Sequence, residues 1–122
     1  MAALTLRDSV LLAAVVAATA PYGVAFAACT SIKFERGASS AQVRGTAPAQ
    51  GIDCLRFGTG DGQDVQLSVR SDRDAVAFSV VGVADDRDSI RFRSAKKTYE
   101  VRVFQTMKAV TPMRYELSLT IR

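Results

Sequence analysis

The sequence predicts an all-β chain, a single antiparallel β-sandwich of about eight strands preceded by a cleavable signal peptide. Three observations carry this. After residue 27, apolar residues alternate with polar ones in short runs. Turn residues interrupt the runs about every ten positions, and no stretch keeps a helical period. A strand that alternates has one buried and one wet face, which favours antiparallel sheets packed face to face.

The elements follow in chain order. Ser9 to Ala20 carries no charge, Arg7 precedes it, and Pro21 and Gly23 break any helix after it. Ala25-Phe26-Ala27 then places small residues at the first and third positions of a cleavage site. The apolar run falls short of the roughly 20 residues that a retained membrane helix needs. Residues 1–27 are therefore expected to be an export signal, and residues 28–122 one β-sandwich domain, periplasmic or secreted.

In that domain Ile32 and Phe34 alternate with Ser31, Lys33 and Glu35, and Gly37 with Ser39-Ser40 makes a turn. Ala41, Val43 and Gly45 form the next inward set, ended by Pro48 to Gly51. Leu55 and Phe57 point one way, Cys54 and Arg56 the other. Gly58 to Gly62 has hairpin-turn composition. Val65, Leu67 and Val69 make the cleanest amphipathic strand, and Ser71 to Asp74 the next loop. Ala75 to Val81 is apolar except for Ser79, which suits a strand covered on both faces. Asp85 to Asp88 is read as a turn. Ile90 and Phe92 then face inward between Arg91 and Arg93. Tyr99, Val101 and Val103 form the penultimate inward set, and Tyr115, Leu117, Leu119 and Ile121 the last.

Composition excludes much chemistry. There is no histidine, which removes Ser-His-Asp and Cys-His catalysis and the commonest zinc ligand sets. Two cysteines remain, Cys29 and Cys54. In an oxidising compartment such a pair reads as a disulfide, its closed loop stabilising the fold by about 3 kcal/mol. The alternative is a lipid anchor on Cys29, because Phe26 to Cys29 partly matches a lipobox, with Phe where an aliphatic residue usually stands. Asp61, Asp64, Asp72, Asp74, Asp85, Asp86 and Asp88 cluster only where turns are needed, without the calcium-loop pattern. No metal, cofactor or enzymatic centre is expected.

Arg7 and Asp8 cancel, so loss of the export signal leaves the net charge at +4. Arg91, Arg93 and Arg102, with Lys96 and Lys97 nearby, are expected on a wet face. They are either a possible anion-binding face or an ordinary solvated one. Nucleic-acid surfaces interleave aromatics with such charges. Here Phe92 and Tyr99 point to the core, and no nucleic-acid partner is expected.

Taken in order, four segments resemble a known family. They are Ile32-Lys33-Phe34 with Arg36-Gly37-Ala38-Ser39-Ser40; Leu55-x-Phe57 with Gly62-Gln63 and Val65-x-Leu67-x-Val69; Ala77-Phe78-Ser79-Val80; and Tyr99 to Gln105 with Met107-Lys108, then Tyr115-x-Leu117-Ser118-Leu119. The ordered set resembles the periplasmic inhibitors of goose-type lysozyme, and more broadly bacterial pre-peptidase C-terminal β-sandwich domains. The resemblance implies a sandwich that pushes a loop into a lysozyme's substrate cleft. A cation on a rigid hairpin would there meet a catalytic carboxylate in a desolvated site.

The family's loop between the last two strands begins tyrosine, variable residue, Met, Arg, with a second Arg further on. Phe104, Gln105, Thr106, Met107 and Lys108 match its start, Lys108 taking the first cation's place. Ala109 to Pro112 supply no second Arg, and the loop is shorter. The implied partner-binding residues are Gln105, Thr106, Met107 and Lys108, and the implied partner is a goose-type lysozyme. The alternative is a non-inhibitory envelope module for peptidoglycan, another glycan or a protein, touching membrane only if Cys29 carries a lipid.

Overall fold

The computed structural model describes residues 28–107 and 109–122. The export signal expected over 1–27, and Lys108, lie outside the described residues. Among those described, nine strands follow in order: β1 Thr30–Ser31, β2 Ser40–Ala47, β3 Asp53–Thr59, β4 Asp64–Ser71, β5 Val76–Val80, β6 Ala84–Arg87, β7 Ser89–Arg93, β8 Lys97–Gln105 and β9 Met113–Ile121. They build a four-stranded sheet ordered β2-β9-β4-β7 and a five-stranded sheet ordered β1-β3-β8-β5-β6. Every ladder is antiparallel except the short β1–β3 pairing, which is parallel. The all-β sandwich read from the alternation is the fold. No helix among the described residues is long and apolar enough to cross a membrane.

Side-chain parity makes the core. Val65, Leu67 and Val69 of β4 and Tyr115, Leu117 and Leu119 of β9 meet Leu55, Phe57, Phe78, Val80, Tyr99, Val101 and Val103 of the other sheet, all buried. Each fully buried side chain such as Phe78 or Leu67 contributes roughly 1.5–3 kcal/mol over the exposed state. In β5 both faces are covered, because Val76, Ala77, Phe78 and Val80 are all buried and Ser79 half so.

Two elements differ from the sequence reading. The strand expected around Ile32 and Phe34 shrinks to Thr30–Ser31. Ile32 N–H still donates to the Arg56 carbonyl (2.9 Å), and both apolar side chains pack half-buried against the core. The backbone leaves β3 early because it must reach the other sheet to start β2. Asp85 to Arg87, read as part of a turn, lies in the edge strand β6. The turn is instead Val81-Gly82-Val83, with Gly82 at φ +83°. An edge strand facing water carries no apolar alternation to report it, and its charges discourage pairing with another chain.

Every connection except β5–β6 passes from one sheet to the other. The loops therefore collect at two ends. One end, here called the lower, gathers residues 35–39, 60–63 and 94–96. The upper end gathers 48–52, 72–75, 106–107 and 109–112.

The lower end is locked by one buried serine. Ser94 Oγ donates to the Gly60 carbonyl (2.6 Å) and accepts from Gln63 N–H (3.1 Å). Its backbone N–H donates to the Gln63 carbonyl (2.8 Å), and its own carbonyl accepts from Gly62 N–H (2.7 Å). Gly62 takes φ +73° to make that turn.

Candidate functional site

The upper end is built differently. Gln105, the last residue of β8, directs its Nε2 donor to the carbonyls of Ala47 (3.2 Å), Pro48 (3.2 Å) and Thr111 (2.9 Å). One amide thus ties the β2–β3 turn to both stems of the β8–β9 loop. Thr106 donates its backbone N–H (2.8 Å) and its hydroxyl (3.2 Å) to the Ala75 carbonyl. This joins the β4–β5 connection to the same base.

Above that base Met107 is 77% exposed, Val110 91% and Ile52 50%. Exposed apolar side chains gathered on neighbouring loops make this end the candidate contact surface. The structure therefore places Gln105, Thr106 and Met107 at one end of the sandwich. Gln105 acts as the clamp, Thr106 as a tie and Met107 as the presented side chain.

Beneath the loop a strut crosses the core. Tyr115 Oη, from the four-stranded sheet, donates to Asp53 Oδ2 at the start of β3 (2.5 Å). A Cβ at Gly45, opposite Tyr115 on β2, would stand 2.5 Å from that hydroxyl oxygen, so glycine leaves the strut its room. Burial, then the hydrogen bond and charge of Asp53, push the Tyr115 phenol far above its ordinary range. It stays a neutral donor.

Arg91, Arg93 and Arg102, expected together on one face, are divided by the sandwich. Arg91 forks onto Asp64 (Nε–Oδ1 3.0 Å, Nη2–Oδ2 2.9 Å). That hydrogen bond holds the Asp64 carboxyl below its usual range. Arg93 Nη1 donates to the Gly62 carbonyl (2.8 Å). Both belong to β7 in the four-stranded sheet. Arg102 sits on β8 in the five-stranded sheet and pairs with Glu100 (2.6 Å). Alternation reveals which way a side chain points but not which sheet carries it, and that is why the grouping fails.

Sequence reasoning missed a different set. The outer face of the four-stranded sheet brings Arg44, Arg70 and Arg114 together around Glu116 and Thr46, just below the upper end. Their outward parity was visible in the sequence, but the strand register that assembles them was not.

Cys29 and Cys54 form a disulfide, with 4.6 Å between Cα atoms, that fastens the segment before β1 to β3. A sulfur held there has no thiol left for a thioether-linked lipid, and the bond suits an oxidising compartment. The Glu100 carboxylate lies within 4.8 Å of both sulfurs, yet two sulfurs bonded to each other offer no thiolate to a metal.

Fold and site together define an all-β sandwich whose upper loops present exposed apolar side chains. No protein-family model matches the chain, and no curated protein matches it in sequence. Solved structures match its fold. The periplasmic inhibitor of g-type lysozyme from Salmonella Typhimurium, PliG, superposes with a TM-score of 0.64 at 19% identity, covering 80% of this chain and 100% of that one. A mutant of the Escherichia coli PliG gives 0.59 at 24% identity, over 76% of this chain and 96% of that one. The pre-peptidase C-terminal domain of the Bacillus anthracis collagenase gives 0.61 at 12% identity, over 80% and 100%. These are the two families that the ordered sequence segments resemble. At such identities the likeness is one of fold.

Proposed function

We propose that this protein is an exported, periplasmic inhibitor of goose-type lysozyme that acts by inserting the β8–β9 loop into the enzyme's cleft. The observation that carries the reading is the loop itself: a Gln105-clamped hairpin presenting Met107 and Val110 to solvent, on a fold spanning whole PliG chains. In the proposed complex the apolar tips desolvate the cleft, and the ammonium group of Lys108, adjoining Met107 in sequence, meets a cleft carboxylate. A charge-assisted hydrogen bond gains strength where water is excluded. Lysine supplies a point charge rather than a planar fork, so Lys108→Arg is expected to tighten binding.

The glycan-binding alternative draws less support. No aromatic side chain among the described residues is exposed, so there is no platform on which a sugar ring could stack. The test is direct: the purified protein is titrated into goose-type lysozyme acting on peptidoglycan. The reading expects stoichiometric loss of lysis, weakened by Lys108→Ala. Undiminished lysis with no detectable complex at micromolar protein would reject it.

A further inference from the structure

Beside the β8–β9 loop, the β4–β5 connection holds two consecutive non-glycine residues in the left-handed region, Arg73 at φ +63° and Asp74 at φ +51°. Side chains disfavour that conformation, and it persists only where neighbours over-determine it. The neighbours here are named. Ser71 Oγ accepts from Ala75 N–H (3.1 Å), and the Ala75 carbonyl takes both donors of Thr106. The turn is therefore pinned to the base of the candidate loop. Arg73 is exposed and makes no ion pair among the described residues. Among the described residues no side-chain hydrogen bond or ion pair uses the side chain whose backbone is so held.

Next to this turn, the outer face of the four-stranded sheet has an open, shallow depression lined by Arg44, Thr46, Arg70, Asp72, Arg114 and Glu116. Glu116 accepts one hydrogen bond from Arg44 Nε (3.4 Å) and one from Arg70 Nη2 (3.3 Å). Among the described residues the other N–H groups of both guanidinium ions stay unbonded, and Arg114 has no ion pair. Glu116 thus steadies two arginines without using up their forks.

We infer that the β4–β5 turn, with Arg73 at its tip and Arg70 and Arg114 behind it, is a second docking element that grips carboxylates on the protein partner engaged by the β8–β9 loop. The inference rests on the function proposed above. The occupant is a folded acidic protein surface. The depression is open to solvent, its arginines are spaced over neighbouring strands of one sheet, and Thr106 ties the adjoining β4–β5 connection to the base of the apolar tip. Planar forks at fixed spacing match carboxylates bidentately. Because Asp72 and Glu116 offset part of the charge, recognition depends on where the partner's acids stand more than on long-range attraction.

The experiment uses protein expressed from the full sequence and purified after export, in wild-type form and as Arg73→Gly, Arg70→Ala/Arg114→Ala and Met107→Ala. Each is titrated calorimetrically with goose-type lysozyme and melted alone. Arg73→Gly is expected to raise the thermal midpoint by roughly 2–5 °C, since glycine is at ease at positive φ. It is also expected to weaken binding by about tenfold or more, the effect of losing one charged contact. The double arginine variant should weaken binding as much and lessen its salt dependence.

Wild-type affinity in both variants, with Met107→Ala still impaired, would overturn the second element and leave the loop reading standing. A midpoint for Arg73→Gly at or below wild type would contradict the held turn. No binding by wild-type protein would overturn both readings together.

Discussion

The two ends of this sandwich are made from the same strands yet do opposite things with their polar groups. At the lower end Ser94, only 5% exposed, has its hydroxyl, amide and carbonyl all bonded into the facing 60–63 turn. At the upper end the hydrogen bonds of Gln105 and Thr106 stop at the base of the loops. Beyond that base Met107 and Val110 stand exposed, and Arg73 makes no ion pair among the described residues. A scaffold element satisfies its own groups, whereas a contact surface is held from beneath and left incomplete above. The contrast makes the upper end the candidate contact surface.

The comparison can be broken in graded steps. The largest effect sets the scale for both ends. Reducing Cys29–Cys54, or Cys54→Ser, is expected to cost about 3 kcal/mol through the freed loop. That lowers the unfolding midpoint by roughly 15 °C for a domain of this size; equal midpoints with and without reductant would remove the disulfide from the account. Next, Ser94→Ala at the lower end strands the Gln63 amide and the Gly60 carbonyl and should cost about 2 kcal/mol. Urea melts showing a loss under about 0.5 kcal/mol would deny that this end is locked.

The strut beneath the loops gives a pH signature. Tyr115 ionises near pH 10 in the unfolded chain but far higher when folded. A raised folded pKa gives stability that is complete below the unfolded value and declines as pH rises beyond it. Stability should therefore fall above about pH 10 by up to about 1.4 kcal/mol per pH unit. Tyr115→Phe should flatten that slope, and an unchanged slope would assign it elsewhere. The smallest stability effect belongs to the upper tip. Met107→Ser with Val110→Ser should move stability by no more than about 0.5 kcal/mol while impairing binding to lysozyme. A large stability loss would make these side chains part of the scaffold.

Much of the fold was legible because inward positions such as Val65, Leu67 and Val69, or Tyr115, Leu117 and Leu119, announce themselves by period two. β6 was not, since an edge strand of Ala84, Asp85, Asp86 and Arg87 has no buried face to pattern. The candidate site was legible in part. Gln105, Thr106 and Met107 do lie together at one end, found through resemblance rather than through any chemical motif. Their division of labour could not be read, because the clamp made by Gln105 joins residues distant in sequence. For the same reason Arg102 was grouped with Arg91 and Arg93, while Arg44, Arg70 and Arg114 were not grouped at all. Pairing register, absent from a single sequence, decides both cases.

Hydrogen–deuterium exchange on the protein alone and in complex with goose-type lysozyme tests the central claim most directly. The account predicts new protection at residues 48–52, 71–75 and 105–112, with exchange at 60–63 and 94–97 unchanged. Protection confined to the lower end, or to the outer face around Arg91 and Arg93, would contradict it.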